Sequence, residues 1–399
     1  MTVKHRHIYY VSGFDPRGAS FYYRLYRKES LKQADAGGLK LLVEERERHS
    51  DISSRWQVRS EVDGQTVNTT YEFLQWDDII RAHWVRNELA ILVNYLKCFW
   101  IYSTRGVLNR VLKVSWPPFV TALGPLIGLA GMVALAISLV VMTANLMPTV
   151  AASAAAGLSA AALLAAGMLM LIRLLEKKFK LMWLLRIYYF SAQQGMGELT
   201  DLEARLDQFA RHIVDQTDPS EDEVLIVGHS TGSIMAISLM SRVLALRADF
   251  SCDEPGRLSL LTLGQCIPMV CMLPEARRYR EDLVRINQSE HVEWIDFTAP
   301  TDGACFALTD PLAISGLQQK NPADPKPKLL SPRFARLFAP QSYARIRRNW
   351  YRNHFQYIMA SERSGEYDYF AITAGNLTLK ERHLCQPSVQ NYRRPLPFL

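Results

Sequence analysis

The apolar run Val224 to Val227 breaks abruptly into Gly228-His229-Ser230-Thr231-Gly232, and the chain turns apolar again through Ile234, Met235, Ala236, Ile237, Leu239 and Met240. An acidic linker with a proline (Asp218, Pro219, Glu221, Asp222) leads into it. The first run reads as a fully buried parallel strand and the last as a buried helix. Between them the pattern G-x-S-x-G places a serine on a sharp strand-to-helix turn. Its strained backbone and the close passage of strand and helix demand small neighbours, which Gly228 and Gly232 supply. Such a turn presents the hydroxyl above a sheet and aims N–H groups of the helix N-terminus at an adjacent oxyanion.

On these residues the chain resembles the α/β-hydrolase superfamily. The resemblance implies a mostly parallel sheet flanked by helices, serine chemistry at Ser230, and partners in the order Ser, then Asp or Glu, then His. Ser230 is a weak nucleophile unless a histidine takes its proton and an acid orients that histidine. Arg257 to Leu263 and His291 to Phe297 read as the next two strands, so the acid is expected in the loop after the second. Asp302 fits, past a strand end, after Pro300 and before Gly303; Asp310, before Pro311, is the alternative acid, and Asp296, within the strand, the third. Of nine histidines, only His354 and His383 follow that loop. His354, in Asn353-His354-Phe355-Gln356-Tyr357, is preferred; His383, in Lys380-Glu381-Arg382-His383, reads as solvated. His229 is read as supporting the turn, and His5 and His7 as structural.

Near the start, Ile8 to Val11 reads as a strand closed by Ser12-Gly13-Phe14-Asp15-Pro16-Arg17-Gly18. In the superfamily this position supplies the second oxyanion donor, which makes the Phe14 N–H the candidate and the Thr231 N–H its partner. The alternative is an ordinary Asp-Pro-x-Gly turn. Ser12-Gly13 stands where the superfamily has a His-Gly pair. Arg17 either neutralises Asp15 or meets an anionic group of a substrate.

Phe21 to Leu31 reads as helical. Leu39 to Glu44, Arg55 to Val62 and Thr66 to Trp76 read as strands, the last two joined through Asp63-Gly64. Asp77 and Asp78 read as caps and dipole partners of the next helix. Thr200-Asp201-Leu202-Glu203 reads as a capping box, ahead of a helix buried through Leu202, Leu206, Phe209 and Ile213. Gln318 to Pro332 reads as a surface loop or a cap over the site.

Between these parts the sequence changes character. From Val114 to Ile172 there is no Asp, Glu, Lys, Arg or His, a stretch of roughly sixty residues, about twice what one membrane-spanning helix needs with its flanks. Residues 119–142 and 150–172 are each long enough to span, with a turn at Asn145 to Pro148, and Gly124, Gly128 and the small residues of Val150 to Ala166 would let two helices approach closely. Lys97, Arg105, Arg110 and Lys113 precede the stretch; Arg173, Lys177, Lys178, Lys180 and Arg186 follow it. By the positive-inside rule both flanks then face the cytoplasm. Met182 to Tyr189 is expected along the membrane surface. The reading is therefore an α/β, hydrolase-like domain in two parts, residues 1–78 and 196–399, with a helical insertion at 79–195 carrying a transmembrane hairpin. A hairpin folded onto the soluble domain as a lid is the competing reading.

The net charge of +7 is accounted for by those flanks, and no recognition motif accompanies it, so no nucleic-acid partner is expected. The six cysteines lack metal-ligand spacing, and neither metal nor cofactor is expected. Met1 to His7 is basic and has no apolar run, so it is not read as a secretory signal, and a reducing compartment follows for the catalytic part. The expected localisation is integral to a membrane of bacterial inner-membrane type, with the catalytic domain and both termini cytoplasmic. The resemblance and the anchor together imply a serine esterase or lipase-like enzyme acting on an ester or lipid-like substrate at the bilayer. The alternative is a catalytically silent hydrolase scaffold used for binding or assembly; a channel component is weak, because two spans without charge offer no ion path.

Overall fold

Strand β6 (Glu223–His229), which leads to Ser230, is buried at every residue because it lies in the middle of a nine-stranded sheet. The computed structural model describes residues 2–37, 39–146, 180–246 and 257–389, with scattered positions between 157 and 176. The strands are β1 (His5–Val11), β2 (Leu41–Val43), β3 (Glu47–Arg48), β4 (Ser53–Val62), β5 (Gln65–Leu74), β6, β7 (Leu258–Leu263), β8 (Val292–Phe297) and β9 (Lys328–Leu330). Their order is β2-β4-β5-β1-β6-β7-β8-β9, with β3 also on β4. From β5 to β9 all pairings are parallel, while β2, β3 and β5 pair with β4 antiparallel. The chain thus has the α/β architecture expected of it, a mostly parallel sheet flanked by helices.

Alternation along each strand feeds two apolar layers. Tyr9, Val11, Val224 and Ile226 face a layer closed by Leu206 and Phe209 of the helix Thr200–Gln216 and by Ile234 and Ile237 of the helix Gly232–Leu246. Ile8, Tyr10, Leu225 and Val227 face the other, with Tyr22 and Tyr26 of the helix Gly18–Gly37 and with Phe370. Strands buried on both faces need continuous apolar sequence, which explains the unbroken character of Val224 to Val227 and of β7. β4 and β5 meet at Asp63 and Gly64 with φ of 51° and 75°, the doubly left-handed turn that an Asp-Gly pair favours.

The sheet is interrupted in sequence between β5 and β6, and among the described residues this interval is helical: Asp77–Ala82, Glu88–Thr104, Val107–Val114, Trp116–Leu146, Leu181–Met196 and Thr200–Gln216. Trp116–Leu146, with 31 residues, covers the first expected span. Several of its side chains, and much of the second expected span at 150–172, lie outside the described residues. Among the described residues no helix is long and apolar enough to cross a membrane. The transmembrane hairpin therefore has no support in the fold itself.

Other expectations are corrected. Leu181–Met196 buries Leu184, Leu185, Ile187 and Phe190 against the domain, while its other face is partly exposed. Asp77 and Asp78 occupy the first turn of their helix, where the dipole favours them, but neither caps it. Asp78 instead pairs with Arg205 at 2.6 Å, and Asp77 with Arg81. The capping box at Thr200 does not form; Leu199 precedes the helix without a side-chain bond, and Glu203 reaches Arg242. Part of Gln318 to Pro332 is strand β9, which extends the sheet. His383 is buried, its ring 5.1 Å from that of Phe297, and burial lowers its pKa to about 4, so that it rests neutral.

Asp296, the next-to-last residue of β8, is fully buried, accepting from Thr262 Oγ1 at 2.6 Å and Thr298 Oγ1 at 3.3 Å. Burial dominates over those bonds and raises its pKa to about 7. The native state therefore holds a proton that the unfolded chain releases near its ordinary 3.8, and stability falls as pH rises between those values. The Tm of the wild type should drop from about pH 5 to about pH 8, and that of Asp296→Asn should drop less; equal drops in a thermal scan would show that Asp296 carries no such proton.

Candidate active site

Ser230 follows β6 with φ of 60°, in the left-handed region that L-residues other than glycine occupy only under constraint. Its N–H donates to Leu263 O of β7 at 2.9 Å, and its carbonyl accepts from Ser233 N at 3.0 Å. The turn is held by close packing. A Cβ on Gly228 would lie 2.7 Å from Ser233 Cα and from the Ala236 Cβ, and one on Gly232 would strike Val11 O and come within 2.6 Å of Ser12 O. The two glycines read from the sequence are therefore required on opposite sides of the serine.

His354 comes from the short helix Trp350–Phe355. Its Nε2 is 2.8 Å from Ser230 Oγ and its Nδ1 is 2.8 Å from Asp302 Oδ2. Asp302 lies in the loop after β8 and is buried; Tyr357 Oη donates to its Oδ2 at 3.1 Å and Ala304 N to its Oδ1 at 3.1 Å. Burial alone would raise the Asp302 pKa, but His354, by charge and hydrogen bond, with Ala304 N–H and the Tyr357 hydroxyl, holds it below the ordinary value. Asn353 Nδ2, donating to Thr301 O at 2.7 Å, ties the helix of the base to the loop of the acid. The structure thus brings Ser230, His354 and Asp302 into one relay. It separates the alternative acids from it: Asp310 caps the helix Pro311–Ile314, accepting from Leu312 N at 2.8 Å, and Asp296 is enclosed by its two threonines.

His229 is buried with its ring 5.2 Å from that of His354, and its Nε2 is 3.0 Å from His354 O. Because a carbonyl only accepts, Nε2 carries the proton. Burial first, and the neighbouring His354 second, lower its pKa to about 3, so His229 steadies the backbone of the base without competing for its proton.

The Ser12–Gly18 loop lies against the serine, where a Cβ on Gly13 would be 2.9 Å from Ser230 Cβ. Ser12 O accepts from Trp76 Nε1 at 3.1 Å and Phe14 O from Trp183 Nε1 at 2.6 Å. Phe14 N–H donates to Thr231 Oγ1 at 2.8 Å. The expected oxyanion donor is adjacent to Ser230, then, but engaged by the Thr231 hydroxyl. Arg17 belongs to Asp15, held bidentate, and to Tyr351 Oη at 2.5 Å.

From Ser230 and His354 a narrow apolar cleft runs between the inserted helices, past Cys266, Ala304, Tyr102, Ala122 and Trp183. Burial raises the Cys266 thiol to about 12, so it lines the cleft as a neutral group. Sequence reading missed Tyr357, Trp183 and the cleft, because each depends on contacts between segments far apart in the chain; only the aromatic character of 183–190 signalled an apolar wall. No protein-family model, no curated protein and no solved structure matches the chain.

Gly232→Ala should destabilise the fold by about 3 kcal/mol, the upper range for overpacking, since the new methyl meets backbone rather than a mobile side chain. Chemical denaturation checks this; a loss within about 0.5 kcal/mol would mean that the turn is looser than described.

Proposed function

We propose that the chain is a serine hydrolase that cleaves acyl esters, with the apolar cleft taking the acyl chain. The observation that carries this reading is the relay Ser230 Oγ to His354 Nε2 and His354 Nδ1 to Asp302 Oδ2, 2.8 Å at each step, with the serine on a strained strand-to-helix turn. In the forward step Ser230 Oγ bonds to the ester carbonyl carbon while its proton passes to His354 Nε2, and Asp302 stabilises the imidazolium. The carbonyl oxygen becomes an oxyanion beside the Thr231 and Phe14 N–H groups. Collapse breaks the bond to the alcohol, which leaves with the proton from His354. Water repeats the sequence on the acyl-serine, releasing the acid and restoring Ser230.

The second part of the proposal is that the substrate is drawn from a bilayer to which the inserted helices anchor the domain. Support comes from the join between insertion and site. Thr121 Oγ1, near the start of Trp116–Leu146, donates to Gly303 O at 3.0 Å, next to the catalytic acid. Farther along the same helix Ile127, Leu135, Ile137 and Val141 are exposed, on a stretch whose sequence has no charged residue. Exposed apolar side chains around a helix favour lipid over water. A cleft that opens between these helices and ends at Ser230 suits an ester with one long acyl chain. The catalytically silent scaffold is the second reading, favoured by the engaged Phe14 N–H.

A fluorophosphonate probe separates the two. The wild type should label, Ser230→Ala should not, and Asp302→Asn should lower the turnover of a p-nitrophenyl ester roughly 10³- to 10⁴-fold by leaving the wrong imidazole tautomer; an unlabelled wild type, or equal labelling of Ser230→Ala, selects the scaffold. Ala122→Phe, which fills the cleft, should shift the preferred ester from long to short acyl chains with the labelling of Ser230 retained. An unchanged chain-length profile would remove the cleft from the proposal.

A further inference from the structure

A second cluster of chemistry-bearing groups lies on the sheet face covered by the helix Thr200–Gln216. His49 in the turn between β3 and β4, Glu72 on β5 and His212 on that helix bring two imidazole nitrogens and a carboxylate oxygen within 4.8 Å of one another. We propose that these three side chains bind a divalent transition-metal ion of the zinc class.

The donor set is the first argument. Two imidazoles and one carboxylate suit zinc and its neighbours, whereas calcium and magnesium prefer oxygen ligands alone. The second is the support around it. The other oxygen of Glu72 is 3.0 Å from His7 Nε2, and His7 Nδ1 is 3.0 Å from Glu221 Oε1. Gln216, one helical turn beyond His212, holds His49 Nε2 at 2.9 Å from its Oε1. Ligands fixed in this way from an outer layer of carboxylate, imidazole and amide groups are what metal sites use to set orientation. The third is access. Glu72 is fully buried, but His49 and His212 are half-buried, so an ion can enter from solvent and keep an open coordination position. A bound ion would join the short β3–β4 turn to the helix that feeds β6. Positions 49, 72 and 212 form no sequence motif, and only the fold brings them together.

The simpler use of the same groups is charge neutralisation, with the imidazoles balancing a buried carboxylate. The test distinguishes the two without any measurement of ester cleavage. Full-length protein purified without a polyhistidine tag is stripped with EDTA and titrated with Co(II) and Zn(II). The wild type should take up one Co(II) per chain with the visible bands of a four- or five-coordinate ion, Zn(II) should displace it, and Zn(II) should raise the Tm. His49→Ala, which removes one imidazole from a surface turn, should bind roughly tenfold or more weakly while its stripped form keeps the far-UV circular dichroism of the stripped wild type. His212→Ala should also lose binding. No stoichiometric uptake by the wild type, or uptake unchanged in His49→Ala, would overturn the proposal and leave a charge-balancing cluster.

Discussion

The constraint on which the site depends is a single backbone torsion. Ser230 at φ of 60° is held in a region that costs an L-residue on the order of 1 kcal/mol or more, and the surrounding structure must over-determine it. β7 does so by accepting the Ser230 N–H, the helix after it by bonding the Ser230 carbonyl, and the ends of β1 and β6 by approaching so closely that only glycine fits at 228 and 232. Once that torsion is set, the hydroxyl faces the loop after β8, which carries Asp302, and the short helix Trp350–Phe355, which carries His354.

The base and acid are held by layers of ordinary interactions. Tyr357 and the Ala304 N–H fix Asp302, Asn353 couples its loop to the histidine helix, and His229 braces the His354 carbonyl from below. The bonds of Tyr357 and His229 are buried, and losing either would leave an unsatisfied group in a low-dielectric interior, so the constellation resists relaxation. On the other side of Ser230 the Thr231 hydroxyl accepts from the Phe14 N–H at 2.8 Å, so that donor is already engaged.

The residues that form the relay were legible in the sequence because each is tied to a local pattern. The serine follows a buried strand and precedes an apolar helix, Asp302 lies in a Pro-Thr-Asp-Gly loop past a strand, and His354 is one of two late histidines. The parallel strands were legible for the same reason, since burial on both faces leaves no polar residue to break the run. Failures came where a local pattern had a distant competitor. Glu203 looked like half of a capping box, but Arg242 lies across from it and an ion pair took its place. His383 sits among charges in sequence, yet the chain turns it onto Phe297. Short, apolar β9 was hidden in a stretch rich in proline and lysine. The cluster of His49, Glu72 and His212 left no trace because its members come from a turn, a strand and a helix.

The relay requires one arrangement of protons: neutral His354 must carry its hydrogen on Nδ1, toward Asp302, and present a bare Nε2 to the Ser230 hydroxyl. NMR of protein labelled with ¹⁵N-histidine reads this directly, with the His354 signals identified by their loss in His354→Gln. An Nδ1–H tautomer is the predicted result. An Nε2–H tautomer would contradict it, because that nitrogen could not then take a proton from the serine.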